Sequence, residues 1–195
     1  MNLEGKNIGF AMTGSFCTFS SVIKELQTLQ KSGANIIPIL SQNAQSTDTR
    51  FGKATDFAKQ LETITGNKII KNIRDAEPIG PKELLDALLI APCTGNTLAK
   101  LANGITDTCV TMAAKSTMRN RRPVVIAVST NDGLGTSAKN IGMLLNMKNI
   151  YFVPFRQDDP VKKCNSLVAQ MSKMQESLEK ALDGIQIQPI LAQKE

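Results

Sequence analysis

The stretch from Leu88 to Gly104 constrains the fold more than any other part of the chain. Leu88-Leu89-Ile90-Ala91 is an apolar run too short for a helix and closed by Pro92, so it reads as a strand buried on both faces. Small polar residues follow, Cys93-Thr94-Gly95-Asn96-Thr97, and both Thr94 and Asn96 can cap a helix N-terminus. Asn103-Gly104 then stops a short helix. A buried strand, a small-residue turn and a helix N-terminus form a crevice of the α/β type, where ligands bind beyond the carboxyl ends of the strands. Gly95 lets a flat or charged ligand approach the backbone, although an ordinary capped turn explains the same residues.

The N-terminal segment supplies the partner strands. Lys6 to Met12 reads as a strand and Asn35 to Leu40 as a second one. Between them a helix from Phe19 to Lys31 carries Val22, Ile23, Leu26 and Leu29 as its apolar stripe, with Gly33 as its stop. A strand–helix–strand unit makes the sheet parallel and the crossover right-handed. Its loop, Thr13-Gly14-Ser15-Phe16-Cys17-Thr18, is neither a dinucleotide fingerprint nor a Walker A loop. Ser41-Gln42-Asn43 also stands where a dinucleotide site needs an acidic residue. What remains is a hydroxyl-lined helix N-terminus with Ser15, Thr18, Ser20 and Ser21, suited to one phosphate group or simply to capping.

Further along, Gln42 to Arg50 reads as a polar loop, and Thr49 to Thr65 as an amphipathic helix with Phe51, Ala54, Phe57, Ala58, Leu61 and Ile64 inward. Lys68-Ile69-Ile70 is extended, Pro78 to Pro81 a loop and Lys82 to Asp86 a short helix. Asp107 is placed to cap a helix ending at Asn120, before the strand Val124 to Val128. The loop Ser129 to Ser137 reads as a ligand lid or a plain connection, followed by a helix to Met147 and a strand over Ile150 to Val153. Asp158-Asp159-Pro160 is read as the start of a long last helix reaching Leu182, with Val161, Cys164, Leu167, Val168, Met171, Met174 and Leu178 on one face. The expected architecture is therefore α/β: a single Rossmann-like, three-layer domain over residues 1–195 with a central parallel sheet, the tail 185–195 lying at the periphery.

Composition removes several classes of function. The 195 residues include no histidine, which excludes an imidazole base, a His-activated nucleophile and a His metal ligand. Cys17, Cys93, Cys109 and Cys164 are scattered without a Cys-x-x-Cys pair, which fits reduced thiols in a cytoplasm, and no metal site is expected. The net charge of +6 is modest, and Arg119, Arg121 and Arg122 have one Tyr and no Trp to stack bases, so no nucleic-acid partner is expected. No apolar run approaches the roughly 20 residues of a membrane span, and no apolar leader precedes the first strand.

Pro92-Cys93-Thr94-Gly95-Asn96-Thr97, continued by Leu98-Ala99-Lys100-Leu101-Ala102-Asn103-Gly104-Ile105-Thr106-Asp107, resembles the signature of the FMN-binding flavoprotein family. That family includes phosphopantothenoylcysteine decarboxylases and lantibiotic cysteine decarboxylases, with Pro-Ala-Ser-Ala-Asn-Thr at this place, and flavin prenyltransferases, with Pro-Cys-Ser-Met-Lys-Thr. The chain departs from both groups. The decarboxylases' active-site histidine is missing, and only Asn131 remains of their Pro-x-Met-Asn clamp. Met112 stands where prenyltransferases carry an Arg, and Arg119-Asn120 where they carry Lys-Glu. From first strand to last helix the motifs are most similar to one branch, one component of a two-chain synthase of spore-forming bacteria that oxidises a small dihydropyridine diacid.

The resemblance implies FMN as cofactor, its phosphate on the Thr13-Gly14-Ser15 loop and on Ser41, and its ring against Pro92, Cys93, Thr94, Gly95, Asn96 and Thr97. It implies a companion chain resembling NAD(P)-dependent dehydrogenases, which supplies the nicotinamide, and a homo-oligomer that is a trimer or a multiple of trimers. It also places the protein in the cytoplasm of the sporulating mother cell. Candidate catalytic or substrate-holding residues are Cys93, Asn96, Lys100 and Asn131, with Asn96, Asn131, Lys100 and the N–H groups of the central helix as partners for the substrate carboxylates. Cys93 stands at a helix N-terminus, where a thiol can be acidified, but no neighbouring His or Lys is evident and an inert wall of the flavin edge is the better reading. A flavoprotein fold kept only for assembly, with a degenerate flavin site, is the alternative of a different class.

Overall fold

The computed structural model describes residues 3–192. Strands β1 (Asn7–Met12), β2 (Asn35–Leu40), β3 (Ala87–Cys93), β4 (Val124–Thr130) and β5 (Ile150–Phe152) pair in parallel, in the order β2-β1-β3-β4-β5. Every residue of β3 is buried, as its unbroken apolar run requires of a central strand covered on both faces. Helices α1 (Phe19–Lys31), α2 (Gln42–Ser46), α3 (Ala54–Thr65), α4 (Ile73–Ala76), α5 (Gly95–Ala102), α6 (Cys109–Arg119), α7 (Ala138–Leu145) and α8 (Met174–Leu182) accompany the sheet. The α1 stripe, Val22, Ile23, Leu26 and Leu29, is buried as its spacing predicts. One hydrophobic cluster joins the strands to helices from both ends of the chain.

A second, antiparallel element completes the sheet. Strands β6 (Phe155–Asp159) and β7 (Lys163–Ala169) form a hairpin, and β7 pairs antiparallel with the last two residues of β4, Ser129 and Thr130. β4 is thus shared along its length: Val124 to Ile126 pair with the short β5, and its end is left open to β7. This overturns the long last helix read from the sequence; only Met174–Leu182 is helical, preceded by a single 3-10 turn at Met171–Lys173. Val161 is 91% exposed at the hairpin tip, where Asp159 Oδ1 accepts the N–H groups of Val161 and Lys162 at 3.1 and 3.0 Å. An acidic residue that binds the backbone two and three residues on makes a turn, and Pro160 in it cannot extend a strand ladder. The sheet is consequently mostly parallel, with an antiparallel margin.

Smaller differences have equally local causes. The helix expected from Thr49 starts at Ala54, because Thr49 and Gly52 close a tight turn with Gly52 at φ 145° and Asp48 accepts the Ala54 N–H at 2.9 Å. Phe51 is therefore turned outward, 46% exposed. The polar loop after β2 contains α2, capped by Ser41. Residues 82–86 are not helical; Glu83 adopts φ 48°, while α4, capped by Asn72, lies a few residues earlier. Helix α6 is capped by Thr108, which forms a reciprocal box with Thr111, and Asp107 is instead paired with Lys100 at 2.7 Å. The tail 185–192 is tied back through Gln186, whose amide bonds both the N–H and the carbonyl of Phe152 at 2.8 Å; residues 193–195 of the expected peripheral tail lie outside the described residues.

Candidate functional site

The ends of β1 and β3 are locked to each other by Thr13. Its hydroxyl donates to the Pro92 carbonyl at 2.7 Å and accepts the Thr94 N–H at 3.0 Å, across a cis Ala91–Pro92 peptide. Thr94 then caps α5, its Oγ1 accepting the Thr97 N–H at 3.4 Å, so Asn96 is free of the capping task and its side chain is exposed. The loop after β1 turns through Gly14 and Ser15 into a single 3-10 turn and then α1. Ser15 Oγ meets Ser129 Oγ at 2.7 Å, which ties this loop to the end of β4.

These ends open into a cleft of about 960 Å³ beyond the carboxyl ends of β1, β3 and β4, with the β6–β7 hairpin as one wall. One side is made by Gly14, Ser15, Thr18 and Arg50, with Lys163 from the hairpin held by Asp158 at 2.6 Å. It offers hydroxyl donors and cations, which suits an anionic group. The opposite side is made by α5, α7 and the loop after β4. Here a Cβ on Gly95 would stand 2.7 Å from Ser137 Oγ, 2.8 Å from Thr130 Oγ1 and 2.9 Å from Asp132 Oδ1. Asp132 Oδ1 accepts the Thr130 and Ser137 hydroxyls at 2.6 and 2.9 Å, and these bonds, the Thr130 one foremost, hold its carboxyl below the usual range. An ionised carboxylate therefore stands over the N-terminus of α5, where it complements the helix dipole.

The structure separates the residues singled out from the sequence into two shells. Gly14, Ser15, Thr94, Gly95, Asn96 and Asn131 line the cleft. Thr13, Ser41, Pro92, Cys93 and Thr97 stand behind it: Thr13, Pro92, Cys93 and Thr97 are buried, and Ser41 caps α2. Lys100 does not line the cleft, although its neighbour Ala99 does, and it is held by both carboxylate oxygens of Asp107. Cys93 is fully buried, and that burial pushes its thiol far above the ordinary range, so it is neither acidified nor accessible. Arg50, Asp158, Lys163 and Asn140 also line the cleft without having been singled out. Two of them, Asp158 and Lys163, belong to the hairpin that reads as a helix, and Asn140 looks like any polar position on an amphipathic helix.

The flavoprotein family model matches residues 1–185. The chain belongs to the flavoprotein family. This flavoprotein is similar to the dipicolinate synthase B subunit of Bacillus subtilis (strain 168), 50% identical over 192 residues that cover 98% of this chain and 96% of that one. The crystal structure of the dipicolinate synthase B subunit from Bacillus halodurans C matches it over 100% of both chains, with a TM-score of 0.91 and 46% identity. The crystal structure of the FMN-dependent cysteine decarboxylase SpaF shares the fold, with a TM-score of 0.68 and 20% identity over 93% of this chain and 97% of that one. No helix among the described residues of the flavoprotein is long and apolar enough to cross a membrane.

Proposed function

We propose that this flavoprotein is the FMN-binding component of a two-chain dipicolinate synthase, taking part in the oxidation of a dihydrodipicolinate-level precursor to dipicolinic acid during sporulation. The observation that carries the reading is the 50% identity to a protein of that name along nearly the whole of both chains. The cleft fits the cofactor in size and in the distribution of its polar groups. Its volume lies at the upper end of the roughly 300–1,000 Å³ of small-molecule sites. Ser15, Thr18, Arg50 and Lys163 would hold the phosphate, and Gly95, Thr94, Asn96 and Asn131 would face the ring. Bound FMN would supply the hydride-accepting chemistry, which the side chains of this cleft do not.

The chain's own residues then bind and orient. Asn96 and Asn131 present exposed amides to a substrate. Asp132 repels its carboxylates from the α5 N-terminus, while Arg50 and Lys163 are taken up by the phosphate. Proton handling on aromatisation has no histidine to use, and the carboxylates of the cleft are Asp132, held low, and Asp158, paired with Lys163. We read the companion dipicolinate synthase chain, the A subunit, as the source of a base and of the NAD(P) for which this chain has no dinucleotide fingerprint. This flavoprotein is read as a homo-oligomer of the mother-cell cytoplasm, as the family resemblance implies.

The test mixes the two purified chains of the synthase with the precursor and NADP and follows dipicolinate by its ultraviolet absorbance. Product should form only when both chains are present. Turnover by this chain alone, or a companion chain whose rate is unchanged by adding this one, contradicts the reading; the second result would favour a protein kept for assembly.

A further inference from the structure

The chain carries 23 Lys and Arg against 17 Asp and Glu, a net charge of +6, yet its cleft does not share that excess. Among the described residues, the charged side chains that line the cleft are Arg50, Lys163, Asp132 and Asp158, two of each sign. Lys163 is already held by Asp158 at 2.6 Å. Lys100, the cation of the central motif, lies outside the lining and is held by both oxygens of Asp107. Asp132 has no such neutralising partner. Its Oδ1 takes the uncharged hydroxyls of Thr130 and Ser137 at 2.6 and 2.9 Å, and no cationic side chain is among the groups that keep it ionised.

The cleft is therefore neutral before anything binds in it. The phosphate of FMN adds a charge of about −1.5 to −2 at neutral pH, and a dicarboxylate substrate is a dianion as well. The exposed amides of Asn96 and Asn131 can orient a carboxylate, but they do not neutralise it. An anion taken out of water without a cation beside it is strongly disfavoured. We infer that the FMN-loaded cleft excludes a free dicarboxylate through Asp132, and that the cations for its carboxylates come from the companion chain. That chain would present arginine or lysine side chains to the mouth of the cleft, and the diacid would lie between the two proteins. The inference rests on the proposed function and deepens it. Placing the cations on the companion, rather than on a second copy of this chain, ties diacid binding to the encounter that brings the NAD(P).

The test titrates pyridine-2,6-dicarboxylate, the stable aromatic product, and its uncharged diamide. Each is added to the purified full chain loaded with FMN, to the companion chain, and to the two together, following the visible spectrum of the flavin and the heat of binding. The companion should tighten the diacid at the flavin by at least about tenfold, the scale of one desolvated charge pair, and leave the diamide within about twofold. In the lone chain, Asp132→Asn should gain about tenfold for the diacid and nothing for the diamide, because the amide can accept the same hydroxyls without the charge. If the lone chain binds the diacid as tightly as the pair, this chain or a second copy of it supplies the cations, and the inference falls while the cofactor reading stands. It falls likewise if the companion tightens both ligands equally, or if the companion alone matches the pair. An Asp132→Asn chain with the wild-type preference contradicts it too. If the chain takes up no FMN, the proposed function and the inference fall together.

Discussion

The two sides of the cleft are built on opposite principles. The side made by the loop after β1 and the hairpin, with its Ser15–Ser129 hydroxyl pair and its Asp158–Lys163 ion pair, leaves cations and hydroxyls at the surface. The α5–α7 side is closed on itself. Gly95 has no room for a Cβ, Asp132 is saturated by two hydroxyls on one oxygen, and the Asn140 side chain is buried. An open, donor-rich side can adapt to an anion, whereas a tightly packed side selects by shape. That contrast suits the proposed cofactor, which carries a phosphate at one end and a flat ring at the other.

Substitution on the closed side should have the largest effect. Gly95→Ala forces a Cβ against three polar atoms under 3.0 Å away, so the loop 130–137 must shift. Overpacking of this kind costs about 1–3 kcal/mol, to be read from urea unfolding together with a loss of FMN affinity. A Gly95→Ala variant as stable as wild type would mean that this side is not tightly built. On the open side, Ser15→Ala should lower stability by only about 1 kcal/mol, the value of one hydrogen bond. It should weaken FMN about tenfold while leaving riboflavin, which lacks the phosphate, unchanged. Equal weakening of both flavins would move the phosphate away from Ser15.

The pH dependence separates the sides further. Because Asp132 titrates below its ordinary value of 3.8 in the folded chain, its contribution to stability is complete above that value and is lost as the pH falls through the lower, folded one. The melting temperatures of wild type and Asp132→Asn should therefore differ at neutral pH and converge under acid conditions. Curves that stay parallel would remove the carboxylate from the account. The smallest effect belongs to Cys93. Cys93→Ala should leave FMN affinity within about twofold of wild type, consistent with a thiol kept neutral by burial. A thiol reagent should label the exposed Cys17 and Cys164 and spare Cys93 and Cys109 until the chain unfolds.

How much of this was legible in the sequence differs along the chain for physical reasons. The β1–α1–β2 unit and the β3–α5 turn were legible because burial on both faces leaves unbroken apolar runs and α1 carries a clear 3.6-residue stripe. The hairpin was not. Val161, Cys164, Leu167, Val168 and Met171 fall three or four residues apart, and Asp159-Pro160 can start a helix as readily as turn a hairpin. What decides between them is tertiary: the short β5 leaves the end of β4 open, and Leu167 packs within 2.6–2.7 Å of the place a Cβ on Gly133 would take. At the site, Thr94, Gly95 and Asn96 were legible from turn chemistry. Asn140 was not, because a polar residue on α7 reveals its burial only once α5 is packed beside it. Lys100 and Cys93 stand in the right motif but do not line the cleft, since Asp107 holds the Lys100 ammonium and Cys93 is enclosed in the core.

The measurement that bears most directly on the central claim is the thermal and chemical stability of the purified chain with FMN, riboflavin and NADP. The account predicts that FMN at about 100 times its dissociation constant adds about 2.7 kcal/mol, that riboflavin at the same concentration adds less, and that NADP adds nothing. No stabilisation by FMN, or a greater one by NADP, would contradict it.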